Sequence, residues 1–166
     1  MNLSKDEIGE LWDQITPKLY GYLINVTKNR TLADDVLQTA WLRAIENLPK
    51  YENRGFSFSA WLFAIARNEL RMHWRKDNRE ISYDNNLHDI FDKDTGLEDR
   101  ILAEQIMKKL SKEEQELLRL RYLADLPFDE IARLLSASTV SIRVKTHRAL
   151  SRARGIIKEQ SYAQRY

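Results

Sequence analysis

Between Ser141 and Arg154 the chain carries Arg143, Lys145, Arg148, Arg152 and Arg154 with no acid among them. At 100° per residue, Ser141, Val144, Lys145, Arg148 and Arg152 share one helix face, with Arg143 and His147 at its flanks. Long cations on such a face reach phosphate oxygens or guanine edges, and the small Ser141 permits close approach. A charge run is equally often a solvated surface, so the run alone does not separate the two. His147 has three outcomes: groove contact, packing against the preceding turn, or plain exposure. Zinc is not expected there, because no second ligand stands at suitable spacing.

Two further groups of residues suggest binding. On a helix after residue 57, Ala60, Ala64, Arg67, Asn68, Arg71 and Arg75 fall on one side, with Trp74 at the edge. Just before it, Asn53-Arg54-Gly55-Phe56-Ser57 places a cation and an aromatic ring on a loop. That combination suits single-stranded nucleic acid, whose unpaired bases stack on rings or enter pockets. Phe58 and Trp61 read as core; Phe56 fits either role. The third group is the polar side of an earlier helix, Asp35, Thr39, Leu42 and Glu46, with Gln38 and Arg43 beside it. Leu42 interrupts that polar face. It is either an ordinary exposed leucine or the apolar anchor of a protein-docking surface.

No catalytic constellation accompanies these groups. The acids are scattered, no Gly-rich phosphate loop is present, and His73, His88 and His147 stand in unrelated contexts. No enzymatic activity, metal or cofactor is expected. The absence of cysteine excludes disulfides and thiolate chemistry and fits a reducing compartment. The first residues, MNLSKDEIGELWDQ, lack a signal-peptide core, and no apolar run approaches the ~20 residues of a membrane span. A soluble cytoplasmic chain without membrane contact is expected.

The elements that must position these residues are helices. Hydrophobic residues make up 43% and charged residues 31% of 166, and five Gly and three Pro leave little room for a turn-rich β fold. Ser4 and Glu7 form a capping box ahead of Ile8, Leu11, Trp12 and Ile15 at helical spacing. Pro17 is expected to break or restart that helix, with Thr16 as N-cap. Thr31 and Asp34 predict a second capping box and a helix to about Asn47, with a core stripe of Val36, Leu37, Ala40, Trp41, Ala44 and Ile45. Pro49 ends it, KYENRGFS reads as a loop, and a longer helix runs from Phe58 to about Lys76.

Residues 82–99 hold six acids, one Lys, two Asn and a Gly, and read as a linker. Helices then resume at about Leu97–Lys109, Ser111–Ala124 (with Ser111 and Glu114 as its capping box), Pro127–Leu135 and Thr139–Ile157. The four-residue turn SAST makes the last two a helix-turn-helix, capped by Ser138 or Thr139. Ile142, Thr146, Ala149 and Ala153 are expected to pack on Ile131 and Leu134. The fold class is therefore all-α: two small helical domains, 1–80 and 100–160, joined by an acidic linker over 81–99.

Taken together, the two halves resemble bacterial RNA polymerase sigma factors of the extracytoplasmic-function group in the sigma-70 family. ADDVLQTAWLRAIENLPKYENRGFSFSAWLFAIARNELRMHWRK resembles sigma region 2, with its paired acids, "LQ", aromatic-rich loop and "WLFAIARN". Leu110–Arg154 resembles sigma region 4. The resemblance implies a promoter-specificity subunit. Asp35, Gln38, Leu42, Arg43 and Glu46 would dock on the clamp coiled coil of the β′ subunit. Arg54, Phe56, Ser57, Asn68, Arg71 and Arg75 would melt the minus-ten element and hold its non-template strand. Ser141, Arg143, Lys145, His147, Arg148 and Arg152 would serve the duplex minus-thirty-five element. The linker would thread toward the active-site and RNA-exit channels of the β and β′ core, and an anti-sigma protein is an implied partner. Ser136 stands where the family carries a turn glycine, predicting a strained backbone. Thr146 replaces a core leucine, and Val140 replaces a small residue.

Two other functions are compatible with parts of the sequence. A stand-alone helix-turn-helix regulator would have no use for the Arg54–Lys76 segment, and a polymerase-binding adaptor without DNA reading would not need the basic face at Ser141–Arg154.

Overall fold

The computed structural model describes residues 4–52, 55–77 and 97–163. Helices α1 (Lys5–Thr27), α2 (Arg30–Asn47) and α3 (Phe58–Asp77) make one compact unit, with a 3₁₀ turn at Leu48–Lys50. Helices α4 (Leu97–Lys109), α5 (Lys112–Leu118), α6 (Phe128–Leu134) and α7 (Thr139–Ala163) belong to a second. No strand occurs among the described residues. The acidic segment expected to be a linker lies outside them, apart from its last three residues, which open α4.

In the first unit the Ser4/Glu7 capping box forms as expected: Ser4 Oγ accepts from Glu7 N–H at 3.2 Å and Glu7 Oε2 accepts from Ser4 N–H at 2.7 Å. The helix does not stop at Pro17, contrary to the sequence expectation, but runs through it to Thr27. An interior proline costs about 3 kcal/mol. Ile15, Leu19, Tyr22 and Leu23 are buried on either side of it. Each such side chain contributes about 1.5–3 kcal/mol on burial, so packing outweighs the lost hydrogen bond.

The cap of α2 is also corrected. Asn29, not Thr31, takes the extended N-cap conformation, and its side chain accepts from Leu32 N–H at 3.0 Å. Thr27 Oγ1 donates to Asn29 C=O and accepts from its N–H, which fixes the corner between α1 and α2. Val36, Ala40, Trp41 and Ala44 are buried as expected, whereas Ile45, assigned to the core, is 47% exposed. It lies at the edge of the buried arc, and the packing of α1 and α3 against α2 leaves it outside.

Aromatic rings tie this unit together. Trp41 lies 4.8 Å from Trp12 and 5.9 Å from Phe58, and Tyr51 lies 4.8 Å from Trp61 and 5.7 Å from Phe58. Tyr51, read in the sequence as part of a loop, is therefore core, and its hydroxyl donates to Phe56 C=O at 2.8 Å.

In the second unit Ser111 and Glu114 form the expected capping box on α5, which continues into a wider π-type turn at Arg119–Leu123. The turn after α6 closes with Ser136 N–H to Arg133 C=O at 3.1 Å and Ala137 N–H to Ala132 C=O at 2.8 Å. This double closure requires a left-handed residue after the cap, and Ser136 supplies it at φ 54°. Ser138 then caps α7, its Oγ accepting from Ser141 N–H at 3.1 Å. Ile142, Thr146, Ala149 and Ala153 are buried, as is Ile131 of α6. Further along, Ala153 and Ile156 close a small core with Ile106 and Leu110.

Candidate nucleic-acid and polymerase interface

Because α7 buries one face, its other face is committed to solvent or a partner. The cations there fall into three settings. Lys145 Nζ lies 2.6 Å from Glu113 Oε1, and Arg152 Nη1 lies 3.4 Å from Glu114 Oε2. Both are thus held toward the first turn of α5. Arg143 leans the other way, its guanidinium 5.8 Å from the Phe128 ring centre, while Arg121 approaches the same ring at 5.2 Å. Arg148 and His147 are exposed between these flanks, and Ser141 is half-buried with its N–H bound by the Ser138 cap.

The structure therefore places the six predicted residues on or beside one exposed face, but not in equivalent states. Val140 and Val144, at 72% and 43% exposure, run along the centre of that face. Beside them, a groove of about 620 Å³ is lined by Tyr122, Phe128, Arg143, Val144, His147 and Leu150.

Glu113 and Glu114 were missed as members of this site because the sequence reading used Glu114 only as a capping residue. The Ser111 backbone N–H holds the Glu114 carboxyl below the usual carboxylate range, with the Ser111 hydroxyl and Arg152 acting in the same direction. The group is ionised at neutral pH in both roles.

In the first unit, Asp35, Gln38, Leu42 and Glu46 lie exposed along α2, with Leu42 58% accessible. Ile45 joins Leu42 one turn away, so the apolar centre is twice what the sequence suggested. Arg43 differs from its companions: Nη1 lies 2.7 Å from Oε1 of the buried Glu69 on α3. This close charge contact, lacking the alignment of a hydrogen bond, gives Arg43 a structural task. The signal for Glu69 was an acid one turn from Ala66 and two turns from Leu62, on the core side of α3.

Asn68, Arg71 and Arg75 project from the exposed side of α3, with Trp74 42% exposed beside them. Ala60 is fully buried, so it makes no opening for a ligand. Ser57 Oγ accepts from Ala60 N–H at 3.2 Å and caps α3, and Phe56 is half-buried with its carbonyl held by Tyr51. Arg54 lies outside the described residues. Among those residues, no cluster of His, Asp and Glu could hold a metal ion, and no helix is long and apolar enough to cross a membrane.

These two surfaces fall within two family matches: residues 11–80 fit Sigma-70 region 2, and residues 100–152 fit Sigma-70 region 4. The chain belongs to the extracytoplasmic-function group of the sigma-70 family.

The sigma factor is 28% identical over 172 residues to the extracytoplasmic-function sigma factor SigD of Mycobacterium tuberculosis, covering 96% of this chain and 81% of SigD. It is 26% identical over 153 residues to BldN of Streptomyces coelicolor, covering 87% of this chain but only 58% of BldN. Its fold is similar to that of the sigma factor RpoE solved with the anti-sigma factor NepR from Bartonella quintana. The TM-score is 0.75 at 20% identity, over 93% of this chain and 98% of that one. The sigma factor is thus an alternative RNA polymerase sigma subunit by family.

Proposed function

We propose that this sigma factor brings core polymerase to promoters through two grips, one in each half of the chain. Residues 1–80 form the region 2 domain, 81–99 the linker and 100–160 the region 4 domain. In the first, Leu42 and Ile45 anchor α2 on the β′ clamp coiled coil, with Asp35, Gln38 and Glu46 as polar rim; Arg43 supports this face through Glu69. Asn68, Arg71 and Arg75, with Phe56, Ser57 and Arg54, take the opened minus-ten strand. In the second, α7 enters the major groove of the minus-thirty-five element. Arg148 and His147 face the groove, Ser141 allows close approach, and Arg143, Lys145 and Arg152 lie at its edges for the phosphates.

The observation that carries this reading is the division of α7 into a closed apolar face and an exposed basic one, the form a groove-binding helix takes. A stand-alone regulator is disfavoured by the exposed Asn68–Arg75 row, and an adaptor without DNA reading by α7. An anti-sigma partner is proposed too. RpoE was solved bound to NepR, and CnrH, another similar fold at TM-score 0.68 and 20% identity over 94% of this chain and 90% of that one, with the cytosolic domain of CnrY.

Separation of function tests the assignment. Arg148→Glu is expected to weaken binding to an upstream duplex by roughly ten-fold while core polymerase still co-purifies. Leu42→Asp is expected to weaken core association by roughly ten-fold with duplex binding retained. Equal loss of both activities in either variant refutes the division of labour.

A further inference from the structure

The centre of the exposed α7 face is apolar. Val140 lies in the first turn after the Ser138 cap and Val144 one turn later, at 72% and 43% exposure. Neither serves the fold. The buried side of α7 is made by Ile142, Thr146, Ala149 and Ala153, and β-branched residues on an open helix surface slightly disfavour the helix. The cations around them are drawn aside, Lys145 and Arg152 toward Glu113 and Glu114, Arg143 toward Phe128. That arrangement leaves the two valines, with Arg148, as the ridge that would meet the groove floor.

A surface with cations around an apolar ridge matches a polyanion that carries apolar groups. In the DNA major groove that group is the C5 methyl of thymine, the one methyl on any base edge there; the rest are donors, acceptors and small C–H edges. We infer that Val140 and Val144 read thymine methyls, and that the upstream element of this sigma factor holds thymines where they land. Four residues of helix advance about 6 Å, close to two base-pair steps of about 3.4 Å. The two methyls therefore lie within about two steps of each other, on either strand. The stiff valine χ1 loses little rotamer freedom on contact.

This inference rests on α7 being the helix in the groove, and the experiment separates the two. Holoenzyme assembled from the full chain and core polymerase is used to select duplexes randomised over the upstream segment. The selected duplex is then remade with deoxyuridine at each thymine in turn, which removes only the methyl. At one or two positions uracil should lower affinity about four-fold each, the equivalent of one buried methylene-sized group. In Val140→Ala or Val144→Ala holoenzyme the matching penalty should vanish. Arg148→Ala should instead weaken thymine and uracil duplexes alike. Uracil tolerated everywhere, no thymine in the selected segment, or a penalty that persists in both valine variants overturns the thymine assignment while groove binding stands. Selection that enriches no sequence at all overturns groove reading and this inference together.

Discussion

Thr146 shows how much a single side chain on α7 matters. It is 2% exposed on the face shared with Ile142 and Ala149, and its hydroxyl has no hydrogen-bond partner. A buried unpaired hydroxyl costs about 1–3 kcal/mol, and valine has nearly the same shape without it. Thr146→Val is therefore expected to raise unfolding stability by about 1 kcal/mol, read from urea denaturation by circular dichroism. Unchanged or lower stability would mean the hydroxyl finds a partner in solution. The resemblance marked Thr146 as a weak point in the core, since it stands where the family carries a leucine, and the helical period marked Leu42 as an oddity on a polar face. Neither revealed Ile45 or the Arg43–Glu69 pair. Ile45 sits at the edge of an arc whose width depends on two other helices, and Glu69 stands 26 residues from Arg43 in the chain.

At the scale of elements, the turn before α7 and the first turn of α5 set how α7 is presented. Ser136 holds φ 54°, a conformation that costs an L-residue about 1–2 kcal/mol. Part of this is offset by the entropy glycine adds to the unfolded chain, so Ser136→Gly is expected to stabilise by about 0.5 kcal/mol. Thermal or urea unfolding checks this, and destabilisation would show the serine is needed at the turn. Glu113 holds Lys145 at 2.6 Å, and in the proposed complex it would compete with phosphate for that cation. An exposed pair of this kind contributes about 0–1 kcal/mol to stability, so Glu113→Gln should leave folding nearly unchanged. Its effect should appear in binding to duplex of any sequence, with several-fold tighter affinity and a steeper salt dependence, by about 0.9 in log–log slope per phosphate gained. Weaker binding instead would mean that Glu113 orients Lys145 for DNA. Both capping boxes with Glu partners were legible because they are local, three residues apart. The passage of α1 through Pro17 was not, because burial at Ile15, Leu19 and Tyr22 decides it.

For the whole molecule, two small helical units each expose a basic or apolar face that folding does not use. Domains of this size bury only about 60% of their unfolded surface, so faces left open on α2, α3 and α7 are substantial sacrifices unless a partner covers them. The all-α class and the order of the two halves were readable from composition, helical period and the two motif segments. The distribution of cations into paired, stacked and exposed sets required the tertiary fold. The most direct test of the two-grip account is run-off transcription with core polymerase on a linear template bearing the selected upstream and minus-ten elements. The account predicts a transcript of defined length that needs both this sigma factor and both elements. No transcript above that of core alone, or one indifferent to the promoter elements, would contradict it.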